Sequence, residues 1–120
     1  MATLRHVLLL QRDVPRAARF YSEGLGLPVA VLTERWAELH AGSTSLALKA
    51  VDGEAYASTG YSPFLAFTVG ELQATVQRLL ALGATLDGPI KYSPGGKVAA
   101  LRAPDGQMLS LFEPDGPDAG

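Results

Sequence analysis

His6-Val7-Leu8-Leu9-Leu10-Gln11-Arg12-Asp13 decides the fold, because Phe64-Leu65-Ala66-Phe67-Thr68-Val69-Gly70-Glu71 repeats its pattern. In each copy a strand-like apolar run reaches an acidic residue seven positions after its first member. A helical stretch of about three turns follows. It stops at Leu-Gly, once at Leu25-Gly26 and again at Leu82-Gly83. The interval from Gly26 to Gly83 is 57 residues. Self-similarity at such a spacing means two copies of one supersecondary unit that bury a face together. A site built on such copies draws on matching positions in each.

Outward from these segments the chain divides readily. Leu4–Leu10 is short and almost wholly apolar, the pattern of a strand covered on both faces. Asp13 offers an N-cap, and Pro15 suits the first turn of the helix that follows. Ala17, Ala18, Phe20 and Tyr21 carry this helix, and Gly24 or Gly26 stops it. Glu71 matches Asp13, so both are read as helix caps rather than catalytic groups. Pro28–Thr33, Arg35–Ala41 and Ser43–Ala50 read as three strands. The second copy runs through strand Pro63–Val69, helix Glu71–Leu82 and strand Ala84–Ile90. It continues through the turn Ser93-Pro94-Gly95-Gly96, strand Lys97–Arg102, the turn Pro104-Asp105-Gly106 and strand Met108–Glu113. Each copy is β-α-β-β-β, which predicts an α+β fold in a single domain, 1–120. Its parts are module one 1–50, a linker 51–62 without periodicity, module two 63–114, and a frayed tail 115–120.

Composition narrows the function classes. A chain of 120 residues suits one compact domain, and 48% hydrophobic with 18% charged residues is ordinary for a globular protein. A net charge of −2 without a Lys/Arg cluster offers no footprint for nucleic acid. Apolar runs of a few residues exclude a membrane span, and the first residues lack the pattern of a signal peptide. The absence of cysteine excludes disulfides, a thiolate zinc site and a cysteine nucleophile. A cytoplasmic setting is expected. No phosphate loop, dinucleotide fingerprint or Ser-His-Asp order is present.

Alternation sorts the strand residues into two faces. Leu46 with Leu48, Leu109 with Leu111, and Val98 with Ala100 are expected under the helices. The opposite faces carry His6, Leu8 and Leu10; Trp36, Glu38 and His40; Ser45, Ala47 and Lys49; Phe64, Ala66 and Thr68; and Met108, Ser110 and Phe112. A mixed polar and aromatic face on a helix-backed sheet suits a ligand-binding concavity, and equally a solvated or dimer-facing surface. The loop from Tyr92 to Lys97 reads as a flap over that concavity or as an ordinary hairpin.

The segment His6-x6-Asp13-x-Pro15-x4-Phe20-Tyr21-x3-Leu25-Gly26 resembles the opening strand and helix of the vicinal oxygen chelate superfamily. Ala103-Pro104-Asp105-Gly106-Gln107-x2-Ser110-Leu111-Phe112-Glu113-Pro114 resembles its closing hairpin and strand. Members include glyoxalase I, fosfomycin-resistance transferases, extradiol dioxygenases and bleomycin-resistance binding proteins. The resemblance implies two tandem βαβββ modules in a curved eight-stranded mixed sheet, with helices on the convex side and the site on the concave side. It also implies metal ligands at four matching positions, which fall on His6, roughly Ala47, Phe64 and Ser110. Of these, only His6 is an ordinary ligand. One imidazole and a hydroxyl cannot hold Zn²⁺, Mn²⁺ or Fe²⁺, which need three or more good donors.

These residues favour a metal-free small-molecule binding protein of the bleomycin-resistance kind, with no cofactor. Its ligand, apolar or aromatic, would meet His6, Trp36, Glu38, Phe64, Tyr92, Met108, Ser110 and Phe112. The competing reading is a metal-dependent lyase, isomerase or oxygenase using His6, Glu38 and His40. A third is a metal-free enzyme in which His6 or Glu38 shuttles protons. Against all three stands a plain one, in which His6 is a satisfied histidine of the sheet and the aromatic residues are core or dimer packing. Long sheet edges, with the twofold dimers of similar short family members, predict a homodimer.

Overall fold

Asp13 sets the start of the first helix in the computed structural model, which describes residues 1–54 and 59–116. Its backbone is extended, and its carboxylate accepts the Arg16 N–H at 3.1 Å. Helix α1, Val14–Leu25, therefore begins with one of its orphan donors satisfied. It ends at Gly26, whose φ of 72° is left-handed and costs a residue without Cβ nothing. Val14, Ala18 and Tyr21 form its buried stripe at helical spacing.

The chain divides into two compact units, residues 1–58 and 59–120. The division falls within the stretch expected as a linker. Residues 55–58 of that linker and 117–120 of the expected tail lie outside the described residues.

In the first unit the strands are β1 (His6–Gln11), β2 (Val29–Leu32), β3 (Trp36–Ala41) and β4 (Thr44–Ala50), in the order β1-β4-β3-β2. β1 runs parallel to β4, while β3 is antiparallel to both β4 and β2. Ala37, Leu39, Leu46 and Leu48 are at most 3% exposed and make up the helix-facing side. Each buried leucine of this kind contributes roughly 1.5–3 kcal/mol.

The second unit repeats the scheme with β5 (Phe64–Thr68), α2 (Leu72–Ala81), β6 (Thr85–Leu86), β7 (Lys91–Ser93), β8 (Gly96–Arg102) and β9 (Met108–Pro114). The order is β5-β9-β8-β6, with β7 also on β8, and β5 runs parallel to β9. The α+β class and the doubled β-α-β order are as the sequence predicts.

Three local expectations are corrected. The strand expected over Ala84–Ile90 is instead only β6, Thr85–Leu86, because Gly88 takes φ 88° and Pro89 has no N–H for a ladder; the next strand, β7, starts beyond it at Lys91. Val98 and Ala100 are not on the helix side: they stand in register with Phe112 and Ser110, and the buried pair is Ala99 and Leu101. Glu71 holds the N-cap position of α2 but makes no capping bond; Glu113 Oε1 accepts the Leu72 N–H instead, at 2.7 Å.

Candidate functional site

Parallel pairing of β1 with β4 puts His6 directly beside Ser45, and antiparallel pairing of β3 with β4 puts Glu38 beside Ala47. Trp36 and Glu38 are two apart on β3 and so share a face with each other and with His6. Thr33 fixes where β3 begins. Its backbone N–H and hydroxyl both donate to the Trp36 carbonyl, at 2.7 and 3.1 Å, and its Oγ1 accepts the Trp36 N–H at 3.0 Å.

The side chains then interlock. His6 Nδ1 lies 2.8 Å from Ser45 Oγ, and Ser45 Oγ donates to the Arg5 carbonyl at 3.3 Å. The Trp36 indole meets the imidazole edge-on, with ring centres 6.0 Å apart, and donates its Nε1–H to Glu38 Oε2 at 2.8 Å. His6 Nε2 is shut off from solvent and has no hydrogen-bond partner among the described residues. Left so, a buried polar atom costs roughly 1–3 kcal/mol.

In the second unit Phe64 stands opposite Met108, Ala66 opposite Ser110, and Thr68 opposite Phe112. Phe64, Met108, Ser110 and Phe112 therefore share one face, as expected. Met108 is buried, Ser110 and Phe112 are half-buried, and Phe64 is exposed. Tyr92 departs from the expectation. It stands in register with Lys97, which pairs with Glu113, so it belongs to the other face, and it is 74% exposed. The segment expected as a flap loop from Tyr92 is in part strand: Lys91–Ser93 form β7, hairpin-paired with β8.

Ser45 is the member of this hydrogen-bonded cluster that strand alternation does not single out. The alternation puts it on the right face, but its contact with His6 depends on the register of two strands 39 residues apart.

The metal set His6, Glu38 and His40 is not assembled. Among the described residues no three His, Cys, Asp or Glu side chains come together as a metal group. Glu38 is engaged by Trp36, and His40 is exposed in the row beyond Ser45. The donors present do not fit a divalent metal. Among the described residues no helix is long and apolar enough to cross a membrane.

Residues 3–111 match the model of the Glyoxalase/Bleomycin resistance protein/Dioxygenase superfamily. No curated protein matches the sequence significantly. Among solved structures, a glyoxalase/bleomycin resistance protein/dioxygenase family enzyme from Burkholderia phytofirmans PsJN is 21% identical with a TM-score of 0.79; the match covers 95% of this chain and 100% of that one. A glyoxalase-related enzyme from Fulvimarina pelagi is 22% identical with a TM-score of 0.76, covering 100% of this chain and 96% of the other. A fosfomycin resistance protein from Mesorhizobium loti is 19% identical with a TM-score of 0.73, covering 96% and 94% respectively. At these identities the likeness carries the fold alone.

Proposed function

This chain belongs to the Glyoxalase/Bleomycin resistance protein/Dioxygenase superfamily, and on that premise we propose that it is a metal-free binding protein for an apolar or aromatic small molecule. The function would be sequestration of the bleomycin-resistance kind, without a cofactor. The observation that carries this reading is His6 Nε2, buried and unpartnered beside the Trp36 ring. A ligand reaches this nitrogen only when the side chains covering it shift; bonding it there, against the indole, removes a desolvation cost and adds ring contact. Support also comes from the donor set, which is too small for a metal.

Trp36 is the only tryptophan of the chain, so its fluorescence reports on this site directly. A panel of aromatic and antibiotic-like compounds, followed by Trp36 emission and by thermal shift, tests the proposal. At least one compound should raise the melting temperature and change the emission, and His6→Ala should weaken both effects. A panel without any stabilising compound would count against the reading. A stoichiometric divalent metal that is lost in His6→Ala would overturn it.

Assembly as a homodimer in the cytoplasm completes the proposal. Val29, Val31 and Leu32 of the edge strand β2 are all exposed, and an apolar edge of this kind invites a partner. Light scattering should give about twice the chain mass of 12.6 kDa. A monomer at micromolar concentration would refute the dimer.

A further inference from the structure

Ser45 has one hydroxyl proton and two neighbours that could receive it. The Arg5 carbonyl is 3.3 Å away and can only accept; His6 Nδ1 is 2.8 Å away and either donates or accepts. Both contacts are hydrogen bonds at once in one arrangement only. Ser45 donates to Arg5, and His6 Nδ1–H donates to Ser45. The reverse arrangement leaves the Arg5 contact without a proton. It also puts the imidazole proton on Nε2, as a buried N–H without an acceptor, and orphaned buried N–H groups are rarer than under-satisfied acceptors.

The remaining donor of the cluster, Trp36 Nε1–H, is used by Glu38 Oε2. Every polar hydrogen of His6, Ser45 and Trp36 is therefore spent within the cluster. What remains is the Nε2 lone pair of His6 and the second carboxylate oxygen of Glu38, both acceptors. Lys49 and His40 lie on the same face, in register with Trp36 and Ser45, but both are exposed. Neither forms a hydrogen bond or ion pair with His6 or Glu38 among the described residues.

We propose that Ser45 is a positioning residue that locks His6 in the Nδ1–H tautomer, so that a ligand that displaces the cover over Nε2 must present a hydrogen-bond donor to it. Phenols, other hydroxyl compounds and N–H heterocycles meet that requirement. Ethers, esters and anions do not, because they offer Nε2 no proton, and anions also face the Glu38 charge. The ligand class rests on the binding function proposed above; the tautomer stands independently of it.

The chain has two histidines, so imidazole nitrogen NMR resolves the question on the intact protein once His40→Gln has assigned the second ring. In its neutral form His6 should carry its proton on Nδ1. Ser45→Ala should shift it to Nε2, and Ser45→Thr, which keeps a hydroxyl, should retain it on Nδ1. A wild-type His6 protonated on Nε2 overturns the proposal.

Phenol and anisole, which differ by a methyl group on the oxygen, test the ligand class. Phenol should move the Nε2 resonance and bind several-fold to about tenfold more tightly than anisole, the worth of one hydrogen bond. That preference should vanish in Ser45→Ala. Equal binding of the two probes overturns the donor requirement. If neither binds, the ligand class falls together with the binding function, while the tautomer is decided by the resonances alone.

Discussion

Glu113 Oε1 accepts the backbone N–H of Leu72 at 2.7 Å, so α2 is capped by a strand residue 41 positions away rather than by its own N-cap residue. The other carboxylate oxygen stands 3.4 Å from Lys97 Nζ. One side chain thus ties α2 to β9 and β9 to β8. Replacing Glu113 by Ala should lower the melting temperature by several degrees. Glu71→Ala should change stability by no more than about 0.5 kcal/mol, since that side chain caps nothing. Thermal melts of the two variants side by side test the assignment, and an equal loss in both would refute it.

The same contact predicts a pH dependence. The Leu72 N–H holds the Glu113 carboxyl below the usual glutamate range; partial burial opposes this, and the Lys97 charge adds to it. A carboxyl whose pKa is lower folded than unfolded stabilises the fold above its unfolded pKa. That contribution fades as pH falls through the lowered folded value. The stability gap between wild type and Glu113→Gln should therefore be full near neutrality and shrink below about pH 4. Denaturant melts across this range measure it, and a gap that widens on acidification would show the sign to be wrong.

Gly96 is a third point of sensitivity. A Cβ there would strike the Glu113 carbonyl oxygen and approach the Phe112 ring to 2.8 Å. Because the obstacle is partly backbone of the paired strand, Gly96→Ala should cost about 1–3 kcal/mol. Gly70, with open space around it, should accept alanine within about 1 kcal/mol. Urea titrations separate the two.

Metal removal provides a fourth check. With no group of three ligating side chains among the described residues, chelation should leave the melting temperature of the purified protein unchanged. Added zinc or manganese should leave it unchanged too. A large fall on chelation would require a donor set other than the ones argued above.

Much of this was legible in the sequence, for reasons that differ by element. Asp13, Pro15 and Gly26 carry local signals, and the α1 boundaries follow from them. The doubled pattern at His6 and Phe64 exposes the repeat, and alternation places Trp36, Glu38 and His6 on one face. What was not legible depends on register and on breaks within strands. The flap reading of Tyr92 rests on the Pro and Gly that follow it, whereas its face is set by the pairing of β7 with β8. Val98 and Ala100 were misplaced because small apolar residues suit either face, and only pairing with Ser110 and Phe112 settles the matter. Ser45 and Glu113 act across 39 and 41 residues, and no local pattern reports such a contact.

The parallel pairing of β5 with β9 also sets when the second unit can close during synthesis. β5 finds its ladder partner only in the strand that closes the unit, and α2 finds its cap on that same strand. A ribosome delivers these segments from the N-terminus onward, at about 5–20 residues per second. Residues 64–81 must therefore wait several seconds, unpaired and uncapped, for residues 108–114 to emerge. The first unit, whose β1 partner β4 ends at Ala50, is complete well before then. The nascent chain thus passes through a stage in which every strand of the first unit has been delivered and the second unit is still open, and a chain stopped before Met108 would lack the ladder partner of β5 altogether.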